Sequence, residues 1–198
     1  MKKPVIIVLA SIGVLILTLG IILISGYNKL VSYDEKIGYE YSIIDSRLEM
    51  RYNTLTQLAN AINGFQAHEQ AYFEAITNAR AAYAAAKANN DLEGMIAADN
   101  LSSIAMADLL ALFEDNEPLQ AMEAYEDFND AVWGIESALS EARRQYNYSV
   151  MDYNKLVRQF PGVLYKSMFN FPASQEYWKP AEGTTQIPDI TFGGNTGE

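Results

Sequence analysis

Val5 to Ile24 reads VIIVLASIGVLILTLGIILI, twenty residues without a charge. No other feature narrows the fold as much. A helix rises 1.5 Å per residue, so about 20 apolar residues span the hydrocarbon core of a bilayer. A cleaved signal peptide would carry an apolar stretch of about 7–15 residues, followed by a small-x-small cleavage site. This run is longer, and its exit, ILISGYN, is a poor cleavage site. The expectation is an uncleaved, single-pass transmembrane anchor from Val5 to Ile24.

Flanking charge sets the expected orientation. Lys2 and Lys3 precede the run, whereas Tyr33-Asp34-Glu35-Lys36 beyond it carries a net charge of −1. The positive-inside rule then keeps the short N-terminus in the cytoplasm and places the bulk of the chain outside it. All 25 acidic residues follow the run, together with 12 of the 14 Lys and Arg, a net of −13. So acidic a body argues against a nucleic-acid partner, which needs basic patches. The chain has no Cys, which excludes disulfides and thiolate metal sites.

Beyond the anchor, apolar residues recur at helical spacing of three and four, with no strand alternation. A first stripe carries Tyr27, Leu30, Ile37, Tyr41, Ile44, Leu48, Leu55, Leu58 and Ile62 and ends near Asn63-Gly64. Nothing but Ser25-Gly26 separates it from the anchor, so one helix can run out of the membrane unbroken. A second, alanine-rich segment carries Phe65, Tyr72, Ile76, Ala79, Tyr83 and Ala86 and stops at Asn89-Asn90-Asp91, which can cap the next helix. A third carries Ile96, Met106, Leu109, Leu110 and Phe113 inward and breaks at DNEP. The fourth is the clearest: Met122, Tyr125, Phe128, Val132, Ile135, Leu139, Ala142, Tyr146, Val150, Tyr153, Val157 and Phe160 form a heptad-like stripe ending at Pro161-Gly162.

Four helices with short connections imply antiparallel neighbours. The expected fold is all-α: a transmembrane helix over 1–26, an up-down four-helix bundle with long first and last helices over 27–162, and an irregular Pro- and Gly-rich tail over 163–198, disordered at its end. The stretch YNKLV occurs at Tyr27–Val31 and again at Tyr153–Val157. If residues 63 and 121 are level, residue 27 faces about residue 157. Tyr27, Leu30, Tyr153, Val157 and Phe160 then form one packing layer at the membrane-proximal base. The same register brings Asp45 within a turn of Arg143, as an interhelical ion pair or as two separately solvated charges.

Several stretches resemble the LemA family of bacterial membrane-anchored helical proteins: YNKLV with IIDSRLEMRYNTL, NGFQAHEQAYFEAITNAR, DNLSSIAMADLLALFEDNEPLQA, RRQYNYSVMDYNKLVRQFPG with FNF, and IPDITF. Their order carries the resemblance more than any one of them. It implies a helical bundle on a bacterial cell membrane with no settled biochemical role. Family members often carry a proline where this chain reads NTLTQL, so a bend implied there is in doubt.

Catalytic and metal chemistry is poorly supplied. His68 is the only histidine, and position 72, where a zinc protease would need its second, is Tyr. One His cannot complete the Glu-x-x-His pairs of a di-metal bundle or a nucleophile–His–Asp set. His68 reads as a structural, hydrogen-bonded residue, and Glu114, Asp115 and Glu117 as solvated charge. No cofactor and no enzymatic activity are expected. The membrane-proximal base is different: Lys29, Lys155, Arg158, Lys166, Phe169, Phe171 and Trp178 suit a headgroup layer. Either that segment docks on lipid, or its aromatics cover the bottom of the core. The expected partners are the bilayer, through the anchor, an unidentified membrane or envelope protein, and a second copy of the chain. A self-assembling membrane scaffold and a metal-binding or enzymatic bundle are the alternatives.

Overall fold

The computed structural model describes residues 3–61, 69–116 and 123–179. Among these, the regular structure is helical throughout. Helix α1 spans Lys3–Ala61, α2 Glu69–Ala88, α3 Leu92–Glu114, α4 Glu123–Arg158 and α5 Gly162–Phe169. The chain divides into two compact units, Met1–Asp45 with Ser140–Tyr177 and Ser46–Leu139 with Trp178–Glu198.

The unbroken α1 is consistent with its composition. Ser11 and Thr18 turn their hydroxyls back onto the carbonyls four residues earlier, at 2.9 and 2.8 Å, so neither leaves a bare polar group on the apolar surface. Gly13, Gly20 and Gly38 meet nothing where a Cβ would stand. No side chain from Val5 to Lys29 is buried, and burial begins at Leu30 and returns at Ile37, Ile44 and Leu48.

In the second unit α2 turns into α3 through two asparagines and an aspartate. Asn90 takes a left-handed φ of 53°, which a short polar side chain tolerates. Its N–H donates to the Lys87 carbonyl and that of Asp91 to the Ala86 carbonyl, closing a Schellman motif. Asp91 then serves as N-cap of α3, its carboxylate accepting from the Gly94 N–H at 3.0 Å. Residues of α1, α2, α3 and α4 feed one core, in which Leu55, Leu58, Ile76, Leu109, Phe113 and Phe128 are at most 4% exposed. Phe113 stacks on Tyr125 and Phe128, with centroids 5.0 and 6.3 Å away.

In the first unit the α4 stripe continues through Ala142, Tyr146, Val150, Tyr153 and Val157, all buried. Here the expected tail is corrected. Residues 163–169 are not irregular but form α5 together with Gly162, closed by Asn170 at a φ of 56°. Gly162 opens α5 where a Cβ would strike the Leu156 carbonyl oxygen. A turn built around Pro161 and Gly162 starts a new helix as readily as it stops the old one.

Candidate functional site

The second unit carries a buried ion network that the sequence did not disclose. Arg51 lies on the inward stripe of α1, one turn beyond Leu48, and is 1% exposed. Its Nη1 donates to Asp99 Oδ1 at 2.7 Å, with the Ser102 and Ser103 hydroxyls at 2.9 and 3.0 Å. Its Nη2 pairs with Glu136 on α4. Ser102 and Ser103 in turn donate to the Asp99 carbonyl. One guanidinium thus ties α1 to α3 and α4, because its planar fork presents donors in two directions. Among the described residues, Arg51 Nε is buried without a hydrogen-bond partner. Tyr52, the next residue, is also buried. Its phenol is pushed up to about 12, first by desolvation, against a hydrogen-bond interaction with Ser102 that lowers it. The cleft beside Arg51 and Glu136, walled by Leu55, Met106, Val132 and Ile135, has no internal room for a water molecule. The arrangement can hold helices in register.

The first unit carries a clasp on its C-terminal segment. Asn154 and Gln175 bond reciprocally: the Asn154 amide donates to the Gln175 carbonyl at 2.9 Å, and the Gln175 N–H donates to Asn154 Oδ1 at 2.7 Å. Gln175 also donates from its side chain to Asp34 on α1 at 3.1 Å. Tyr153 donates to the Pro172 carbonyl at 2.8 Å and Tyr146 to the Glu176 carbonyl at 3.1 Å. Burial pushes both phenols up to about 12, helped at Tyr153 by the Asp34 carboxylate and at Tyr146 by Glu176 and Tyr41. Tyr165 of α5 reaches the apolar run itself: its hydroxyl donates to the Ile22 carbonyl at 3.1 Å. Its ring occupies the space a Cβ on Gly26 would need.

The residues singled out by sequence fall into distinct places. Leu30, Tyr153 and Val157 are buried in the first unit, but two members of the expected packing layer are not. Tyr27 is 40% exposed and sits edge-on to Phe169 and Phe171, centroids 4.8 and 5.9 Å away. Phe160 is 81% exposed, because α4 ends at Arg158 and the helical phase does not carry past it. Lys29, Lys155, Arg158 and Phe169 are exposed, and Lys166 and Phe171 half-buried. Trp178, expected either at a membrane surface or over the bottom of the core, is 4% exposed. Asp45 and Arg143 are half-buried members of the first unit, each with an interaction partner. Val5 and Ile24 bound a stretch of α1 with no buried residue. Ile62, Phe65, His68, Glu117, Met122 and the tail beyond Lys179 lie outside the described residues. No cluster of three His, Asp or Glu that could hold a metal ion occurs among the described residues.

Arg51 left one signal in the sequence: the α1 stripe jumps from Leu48 to Leu55, and Arg51 and Tyr52 fill the missing turn. Asp99 and Ser102 fill the same gap in α3, between Met95 and Ala105. The clasp left none, because its acceptors are mostly backbone carbonyls.

Among the described residues, two helices, α1 and α3, are long and apolar enough to cross a membrane, by length and composition only. In α1 the apolar window is wholly unburied. In α3 a third of it is buried, and Met95, Ala98, Leu109 and Phe113 are buried on its inner side. An all-helical chain led by a bare apolar helix, with an ion-tied helical core and a clasped C-terminal segment, defines the class. Residues 40–192 match the family model of the LemA family, and the chain belongs to that family. The match covers Arg51, Asp99, Glu136, Asn154 and Gln175 and begins after the apolar run and the first YNKLV. No curated protein matches the chain.

Proposed function

We propose that the chain is a non-enzymatic, single-pass membrane protein of the bacterial cell envelope. Val5–Ile24 crosses the bilayer, Lys2 and Lys3 stay in the cytoplasm, and the helical body works outside it by binding another membrane or envelope protein. One observation carries the reading. Within a single unbroken helix, no side chain is buried from Val5 to Lys29, and burial follows a stripe from Leu30 onward. A bare apolar helix of that length is a liability in water and matches a bilayer.

The body is proposed to be an up-down antiparallel four-helix bundle in the second unit, with α1 and α4 running on as an antiparallel pair in the first. Register supports this. Arg51 pairs with Glu136, while the phenols of Tyr153 and Tyr146 feel Asp34 and Tyr41. Seven residues forward on α1, from 34 to 41, correspond to seven backward on α4, from 153 to 146. That is an antiparallel pair meeting at a heptad repeat, one turn from the register expected of the sequence. A binding role is favoured because the charges of Arg51, Asp99 and Glu136 are turned on one another.

Carbonate washing of membranes tests the anchor. The full chain should stay in the pellet, and a chain lacking residues 1–24 should appear in the supernatant. Release of the full chain would end this reading.

A further inference from the structure

Helix α5 is apolar on both sides. Its inner side is Gly162 and Tyr165, both buried, with Phe169 against Tyr27. Its outer side should be polar if it faced water. Instead it presents Val163, Leu164 and Met168, at 40, 48 and 60% exposure, with only Ser167 among them. Phe160, 81% exposed, shortly precedes the helix. Single exposed apolar residues are ordinary, but four on one short segment form a patch that needs a partner.

The structure also fixes where along α1 this patch stands. The Tyr165 hydroxyl holds the Ile22 carbonyl, two residues before the apolar run ends at Ile24, and its ring lies on Gly26. At 1.5 Å per residue, α5 therefore stands against the end of the run, its Tyr165 phenol reaching back over the last few ångströms. Lys155 and Arg158, on the last turn of α4, are exposed beside it in sequence, and Lys166 lies on α5 itself.

We propose that α5 is an interfacial helix. Phe160, Val163, Leu164 and Met168 insert into the headgroup–acyl boundary of the outer leaflet, and the lysines and arginine meet anionic headgroups. Bilayer is the occupant because the patch is continuous in depth with the apolar run and flanked by cations, the pattern of a helix lying in the interface plane. The α5 helix thereby gives the body a second point of attachment beside the anchor and fixes its stance on the membrane. This inference rests on the anchor reading above and adds residues that reading does not use.

The absence of cysteine in the sequence allows a clean test. The full chain is reconstituted in phosphatidylethanolamine–phosphatidylglycerol vesicles with one environment-sensitive fluorophore, attached through Leu164→Cys, Met168→Cys, Leu15→Cys or Ser137→Cys. Leu15 lies in the apolar run, and Ser137 is exposed on α4. Quenching by spin-labelled lipid at Leu164 and Met168 as well as at Leu15, with none at Ser137, is the expected result. Quenching at Leu15 alone would overturn the interfacial helix and leave the anchor standing. No quenching at Leu15 would remove the anchor and α5 with it. A blue-shifted but unquenched label at Leu164 would mean that protein covers the patch, which also overturns the proposal.

Discussion

Arg51 Nη1 and Asp99 Oδ1 stand 2.7 Å apart with their side chains 2 and 4% exposed. A charge so placed is held by its partners or not at all. Removing one member of a buried pair leaves the other desolvated and uncompensated, at a cost of about 3–5 kcal/mol. Glu136, 30% exposed on its side chain, still faces Arg51 and softens the loss. Asp99→Ala should therefore destabilise the chain by about 3 kcal/mol in urea denaturation followed by circular dichroism. Arg51→Met combined with Asp99→Leu should recover a large part of that, since apolar replacement of a buried pair is often neutral. Strictly additive effects would show that the two residues do not act as a pair.

The C-terminal clasp makes a separate prediction. Asn154→Ala removes both bonds to Gln175, each worth about 0.5–1.5 kcal/mol net. Hydrogen exchange at the Gln175 amide should accelerate, while amides in the second unit keep their protection. Unchanged exchange at Gln175 would mean that the reciprocal pair does not hold the segment.

Glycine at 162 is required by its neighbour, because the obstacle to a Cβ is the Leu156 carbonyl, backbone that cannot rotate away. Gly162→Ala should cost about 1–3 kcal/mol and expose Lys166 of α5 to trypsin. Gly38→Ala, where a Cβ meets nothing, should be neutral or slightly stabilising.

Alkaline pH should act through Tyr52, Tyr146 and Tyr153. In the fold each keeps its proton to about pH 12, against an ordinary value of 10, chiefly because burial disfavours the phenolate. Between these values the unfolded chain has released protons that the folded chain retains. Stability is therefore full below pH 10 and falls as pH rises from 10 to about 12. Tyrosinate absorbance followed with pH should show a late class, and Tyr52→Phe should shrink it.

Much of the helical framework is legible in the sequence because it rests on local chemistry. The Val5–Ile24 run, the inward stripe from Phe128 to Val157 and the Asp91 cap are repeated or adjacent signals. Arg51 shows in the sequence only as a gap in the α1 stripe, because a charge there reads as surface until its acceptors arrive from α3 and α4, 48 and 85 residues later. Helix α5 is hidden by the flanking Pro161 and Gly162, which signal a break whether or not a second helix starts beyond it. The α4 phase, extended two residues past the end of the helix, misplaces Phe160. Side-chain type alone leaves Trp178 open between lipid and core, and only its burial distinguishes them.

In the proposed topology the Val5–Ile24 anchor holds the helical body outside the cytoplasm. The most direct measurement is labelling of a single-cysteine Ser137→Cys chain with a membrane-impermeant maleimide in spheroplasts. Equal labelling before and after lysis is the predicted result. Labelling that appears only after lysis would place the body in the cytoplasm and contradict the account.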